Sequence, residues 1–143
     1  MKSIASAVWE GGLKDGNGSL SSDGGALASV PYSFAQRFEG AGAGTTPEEL
    51  LAAAHAGCFA MATASGLGNA GFPPKRLEVK ATVTMQPVDG KPTVTGSHLE
   101  LVATVPGIDA AQFKEIAETM RAGCVISRAL KVDVSLDAKL SDD

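Results

Sequence analysis

The run Thr46-Pro47-Glu48-Glu49-Leu50-Leu51-Ala52-Ala53-Ala54-His55-Ala56-Gly57-Cys58-Phe59-Ala60-Met61 opens with a helix start and then carries no charge for twelve residues. Thr46 is an N-cap type, and Pro47 suits the first helical position because its missing N–H would have no partner there. Glu49 lies three residues after Thr46, which completes a capping box. From Leu50 toward Leu67 the residues are apolar or small on almost every face, so the spacing predicts a buried central helix. Its Ala and Gly residues would let neighbouring elements approach the backbone closely. Gly66, Gly68 and Gly71 with Pro73-Pro74 end it.

Outward from this helix the pattern changes to strands. Leu77 to Met85 alternates apolar and polar residues, as a half-buried strand does. Asp89-Gly90-Lys91-Pro92 reads as a turn, and Thr93 to Val105 as a second strand with Leu99, Leu101 and Ala103 on one face. Asp109 and Gln112 form another capping box, and Ile108 with Phe113 fits a hydrophobic staple. The helix that follows presents Phe113, Ile116, Ala117 and Met120 on its apolar face. Gly123 interrupts it, and Cys124 begins a short helical segment through Leu130. Lys131 to Leu140 is a last alternating strand, and residues 141–143 are expected to fray. On the N-terminal side, short strands are expected at Ile4–Trp9, Ser19–Ser22 and Pro31–Phe34, joined by glycine turns. The stretch Gly40 to Thr45 is expected to be a flexible loop. The order of elements predicts an α+β fold with antiparallel sheets around a long central helix, in one domain over residues 1–143. One small sheet cannot cover a helix that is apolar all round, so an intertwined homodimer is expected.

Composition excludes several classes of function. The chain has 143 residues, enough for one modest core, and only 5% are aromatic, so Ala, Val, Leu and Ile must fill it. Its net charge is −4 with no basic cluster, which argues against nucleic acid. On this reading no apolar run approaches the roughly 18–20 residues of a membrane span. Met1-Lys2-Ser3-Ile4-Ala5-Ser6 lacks the apolar stretch of a secretory signal, so a cytoplasmic protein without a membrane partner is expected. Two cysteines in such a protein are inert and buried, metal-bound, or redox-active, rather than a structural disulfide. Cys58, Cys124, His55 and His98 are ligand types but lack a close-spaced pair, so no metal centre is expected.

Six residues compete for a chemical role. Cys58 inside an apolar helix is by default a small buried hydrophobe. Cys124 follows Gly123 at a helix start, where amide N–H groups stabilise a thiolate. Glu48 has no capping role and either compensates the helix dipole or serves a site. Ten helical residues separate it from Cys58, about 15 Å, so one straight helix cannot bring the two together. If both serve one site, either the chain bends or Glu48 comes from a partner subunit, and the second is expected. Arg37 is either a surface arginine paired to Glu39 or a cation for the Cys58 thiolate. His55 lies three residues before Cys58 on nearly the same face, which allows a Cys–His dyad or a core histidine. His98 reads as an exposed strand residue.

The run 46–59, together with Trp9-Glu10-Gly11, Arg37-Phe38-Glu39-Gly40, Val105-Pro106-Gly107-Ile108-Asp109 and Ala122-Gly123-Cys124 in this order, resembles the OsmC/Ohr family. This family comprises osmotically inducible protein C and the organic hydroperoxide resistance proteins. The resemblance spans nearly the whole chain, and the His55-containing helix is more similar to the OsmC branch. It implies an intertwined α+β homodimer with sites at the subunit interface. It implies Cys58 as the peroxidatic thiol, Cys124 as the resolving thiol, and Arg37 and Glu48 as the charged pair that accompanies the reactive cysteine. The implied reaction reduces an organic hydroperoxide through a Cys58 sulfenic acid and a Cys58–Cys124 disulfide. An external dithiol such as dihydrolipoamide then resets the thiols, with no bound cofactor. Val125 departs from the Pro that often follows the second cysteine, while Ser127 matches the family. Two rival activities stay open on the residues alone: binding or redox sensing on the same fold, and a cysteine hydrolase using Cys58 and His55.

Overall fold

Helix α2 (Pro47–Asn69) forms where the capping signals place it, and in the computed structural model, which describes residues 1–142, it is the longest helix. Thr46 Oγ1 accepts from the Glu49 amide at 3.0 Å. The Glu49 carboxylate does not turn back to close the box; it accepts instead from Thr45 Oγ1 at 2.8 Å. The remaining elements are strands β1 (Ala5–Glu10), β2 (Asn17–Ser22) and β3 (Val30–Tyr32), helix α1 (Phe34–Glu39), strands β4 (Arg76–Val88) and β5 (Lys91–Thr104), helices α3 (Ala110–Gly123) and α4 (Val125–Ala129), and strand β6 (Asp133–Leu140).

The chain divides into two compact units, residues 1–50 and residues 51 onward. The first holds an antiparallel sheet of order β1-β2-β3. Trp9 and Tyr32 meet across it with ring centroids 5.4 Å apart. A Cβ at Gly18 would collide with both rings, so this strand position requires glycine. Helix α1 occupies ground where the sequence suggested the end of a third strand. Ser33 caps it by accepting from the Gln36 amide at 3.2 Å, and Gly40 ends it in the left-handed conformation at φ 66°.

The second unit holds a sheet of order β4-β5-β6. β4 and β5 form a long hairpin whose two-residue turn, Asp89-Gly90, has positive φ at both positions, as a type I′ turn requires. Lys91 and Pro92, expected in the turn, pair with Val88 and Pro87. β6 pairs with β5 in parallel, which corrects the expectation of antiparallel pairing throughout. The physical reason is the α3–α4 crossover between them, which returns the chain to the same end of the sheet. The predicted fraying begins later than residue 141, because the Ser141 amide donates to Ala103 O at 2.7 Å; Asp143 lies outside the described residues.

The core of this unit sits around the middle strand. Leu99, Leu101 and Ala103 of β5 are fully covered, with Phe59 and Leu67 of α2 and Phe113 and Ala117 of α3. Gly66 brings α3 close, since a Cβ there would press on Met120 and Ile116. Within one chain, α2 is covered on one face, as expected of a helix that one small sheet cannot surround. His55, Phe59, Thr63 and Leu67 are buried at four-residue spacing, whereas Ala53, Ala54, Gly57 and Met61 are exposed, Met61 at 77%. The membrane estimate is corrected: α2 is long and apolar enough to cross a bilayer by length and composition, with a mean hydropathy of 1.4. Its packed face marks it as a core helix, and its hydropathy comes from Ala, Leu, Phe and Met that face both ways.

The covered position of Leu99 generates a stability prediction. Leu99→Ala should lower unfolding free energy by about 2–5 kcal/mol in urea titration, because the site is walled by helices and a sheet and cannot collapse freely. A change under about 0.5 kcal/mol would contradict this description of the core.

Candidate active site

Cys58 lies at the flank of the buried face of α2. It is one residue before Phe59 and three after His55, which rotates it away from the centre of that face and leaves it half-buried. Cys124 joins α3 to α4 as the cap residue of both, 2% exposed. Both cysteines are free, and they are near enough for each to act on the other's ionisation. Sixty-six residues of chain therefore return to bring one thiol near the other.

The environment treats the two thiols differently. Burial pushes Cys58 up most strongly; the Ile126 amide opposes it, the neighbouring Cys124 adds to the rise, and the Val125 amide gives the smallest counterweight. Burial also opposes ionisation of Cys124, but the amide and hydroxyl of Ser127, the Cys58 thiol and the Ile126 amide outweigh it and pull Cys124 down. No side chain caps α4 with a full hydrogen bond, so these amides act on the sulfur at longer range. The surroundings thus disfavour the thiolate at Cys58 and favour it at Cys124.

His55 is fully buried, and both its ring nitrogens are taken. Nδ1 lies 2.7 Å from Ser97 Oγ on β5, and Nε2 lies 2.8 Å from Ser127 Oγ on α4. No nitrogen remains to serve Cys58 as a base, so the proposed Cys–His dyad is not formed. Burial pushes the imidazole down, away from the charged form. Ser97 and Ser127 are site-lining residues that sequence patterns did not single out as partners of His55. The only local signal was Ser97 among apolar residues on the buried face of β5. Phe59, next to Cys58 in sequence, is in the core. His98 is not part of this cluster; its Nδ1 meets Ser135 Oγ at 2.7 Å and its Nε2 lies 3.3 Å from Asp137.

Arg37 and Glu48 form a second cluster, in the first unit. Arg37 does not pair with Glu39. Its Nη2 donates to Glu48 Oε1 at 2.6 Å, and its Nε donates to Oε1 at 3.0 Å and Oε2 at 3.2 Å. Burial would raise the Glu48 carboxyl, but the hydrogen bonds and charge of Arg37 and a backbone amide hold it below its usual range. The guanidinium also lies 5.2 Å from the centre of the Phe38 ring. Beside it is an apolar cleft of about 210 Å³ lined by Trp9, Leu13, Tyr32, Phe34 and Phe38.

Two reduced thiols near each other, one in an environment that favours its thiolate, define a dithiol redox site. The OsmC-like protein family model matches residues 40–139. Peroxiredoxin OsmC of Escherichia coli (strain K12) is 45% identical over 134 residues, covering 94% of this chain and 93% of that protein. Among solved structures, the organic hydroperoxide resistance protein OhrB of Bacillus subtilis aligns with a TM-score of 0.69 at 23% identity, covering 96% of this chain and 98% of its own. An OsmC-like protein from Vibrio cholerae aligns with a TM-score of 0.74 at 17% identity, covering 97% and 99%. The likeness to that peroxiredoxin makes the chain a thiol-dependent peroxidase. The chain belongs to the OsmC-like protein family.

The buried imidazole makes stability depend on pH. The unfolded chain takes up a proton near the ordinary midpoint of 6.5, and folded His55 does not. The unfolded state then binds more protons, so stability falls as pH drops below 6.5. His55→Gln should flatten this slope in urea titrations run on either side of that midpoint. An unchanged slope would show that His55 ionises as readily in the folded state as in the unfolded one.

Proposed function

We propose that this protein reduces organic hydroperoxides to alcohols, with Cys58 as the peroxidatic thiol and Cys124 as the resolving thiol. The observation that carries the proposal is that two free thiols are near enough for each to act on the other's ionisation, which suits formation of a disulfide between them. The Cys58 thiolate attacks one oxygen of the peroxide bond. The O–O bond breaks, the alkoxide leaves and takes a proton, and Cys58 becomes a sulfenic acid. Cys124 attacks the sulfenic sulfur, water leaves, and a Cys58–Cys124 disulfide results. An external dithiol, for which dihydrolipoamide is a fitting chemical type, then gives two electrons and two protons and restores both thiols.

Cys58 needs help to ionise, because its own surroundings push it up. Arg37, oriented by Glu48, is the cation proposed to supply that help. The proposed source is a second copy of the chain in a homodimer. Such a copy would also cover the exposed face of α2, where Ala53, Ala54, Gly57 and Met61 lie, and Val125 beside Cys124. The apolar cleft beside Arg37 is suited to an alkyl or aryl group rather than to hydrogen peroxide alone. The cytoplasm is the proposed location, since its thiol pools keep such cysteines reduced between turnovers. No nucleic acid, membrane or bound cofactor enters this cycle.

Two experiments check the proposal. One equivalent of cumene hydroperoxide should remove both thiols of the reduced protein as an intramolecular disulfide, read by thiol titration and intact mass. Cys124→Ser should trap a sulfenic acid on Cys58. Unchanged thiols would reject turnover and favour ligand binding on the same fold. The second experiment concerns the cation. Arg37→Met should lower kcat/KM by roughly tenfold to a thousandfold, the range set by losing an opposite charge beside a titrating group. If Arg37 acts in trans, mixing Arg37→Met chains with Cys58→Ser chains should restore roughly a quarter of wild-type activity, because half the dimers gain one intact site. Failure of the mixed dimers to regain activity would place Arg37 in cis.

A further inference from the structure

The dithiol accounts for Cys58 and Cys124 but leaves a fully buried imidazole with no part in the cycle. Its connections are specific. Ser97 Oγ, His55 Nδ1, His55 Nε2 and Ser127 Oγ form a row at 2.7 and 2.8 Å, and Ser127, at the third position of α4 after the cap residue Cys124, is near enough to that sulfur to favour its thiolate. The row joins β5, α2 and α4 and ends near one of the two thiols.

Proton counting makes the row directional. A serine hydroxyl has one proton and a neutral imidazole has one N–H. When Ser127 donates to the Cys124 sulfur, its oxygen can only accept from His55, so Nε2 must carry the hydrogen. Nδ1 is then an acceptor, and the Ser97 hydroxyl donates to it. When Cys124 is not a charged acceptor, the opposite arrangement is open: Ser127 donates to Nε2, and Nδ1–H donates to Ser97. Each arrangement satisfies every buried polar atom in the row, and each corresponds to one state of Cys124.

We propose that His55 is a positioning residue for Cys124: its Nε2–H tautomer, fixed by the Ser97 hydroxyl, holds the Ser127 hydroxyl toward the Cys124 sulfur. The inference rests on the assignment of Cys124 as resolving thiol and says how the fold prepares it. A sulfur that receives a hydroxyl proton is stabilised as a thiolate. It is also a better leaving group when the external dithiol attacks the Cys58 side of the disulfide. The imidazole neither touches the peroxide nor reaches Cys58. The direction in which Cys124 is already displaced agrees with this arrangement.

Charged groups on the surrounding elements do not offer a substitute. Arg121 of α3 donates to Glu118 Oε2 at 2.7 Å and to Val134 O at 2.8 Å. Arg128 of α4 is exposed. Among the described residues, the thiol beside the row is Cys124.

The test uses a Cys58→Ala protein, in which Cys124 is the single thiol, and follows thiolate formation by absorbance at 240 nm against pH. Ser127→Ala should raise the Cys124 midpoint by about one pH unit, a tenfold loss of thiolate at a fixed pH below it. His55→Met should raise it by a similar amount. The double variant should raise it no further than Ser127→Ala alone. His55→Gln keeps an amide donor near Nε2 and should recover much of the shift. An unmoved midpoint in His55→Met, or a His55 effect that persists without Ser127, would overturn the proposal. Nitrogen-15 spectra of the wild-type protein give a readout without substitution: the reduced form at a pH where Cys124 is ionised should show His55 protonated at Nε2. Protonation at Nδ1 in that form would equally overturn it. Neither readout involves a peroxide, so a failed peroxidase assay and a failed relay are told apart.

Discussion

Helix α2 must present one face to the sheet, and the rest of the second unit is arranged around that demand. His55, Phe59, Thr63 and Leu67 take the inward positions at four-residue spacing. Phe59 and Leu67 supply the apolar contact with β5 and α3, and Gly66 lets α3 come close enough to close the core. The same rotation sets Cys58 at the edge of the buried face. A thiol there is shielded on one side and reachable on the other, as a nucleophile that receives a small substrate must be. His55 is polar at a fully inward position, and the cost of burying it is met by two serine hydroxyls rather than by a charge.

The electrostatic asymmetry of the two thiols follows from their places in the fold. Cys124 sits where the chain breaks between α3 and α4, so backbone amides and Ser127 face its sulfur. Cys58 sits mid-helix, where its own helix offers no free amides, and its ionisation is disfavoured. Under the proposed roles, a resolving thiol whose surroundings favour the thiolate and a peroxidatic thiol that needs a cation would divide the labour. Cys58 would become reactive only when a complete site is assembled around it. Arg37 is already held in a fixed direction by the Glu48 carboxylate, which lowers the entropy lost in presenting it.

Much of the scaffold was legible because local chemistry determines it. Thr46-Pro47, Asp109 with Gln112, and the alternation of β4 and β6 each mark their own elements, and the structure follows them within a few residues. Helix α1 was missed although Ser33, Gln36 and Gly40 carry its caps, because Pro31-Tyr32-Ser33-Phe34 also reads as strand. The parallel pairing of β6 and the choice of which face of α2 is buried were not legible, since both depend on which distant element packs there. The site divides in the same way. Cys58 and Cys124 stood out by residue type and by resemblance, but their nearness spans sixty-six residues. The Ser97–His55–Ser127 row joins three elements that share no local pattern, so no periodicity could announce it.

The central claim is that chemistry begins at Cys58 although the neighbouring environment favours ionisation of Cys124. Two single-cysteine proteins decide it, Cys58→Ala and Cys124→Ala, each given one equivalent of an alkyl hydroperoxide and read by the rate of sulfenic acid formation. Rapid oxidation of Cys58 in the Cys124→Ala protein, with Cys124 left as a thiol in the Cys58→Ala protein on the same timescale, is the result predicted. Faster oxidation of Cys124 than of Cys58 would contradict the account and exchange the roles of the two thiols.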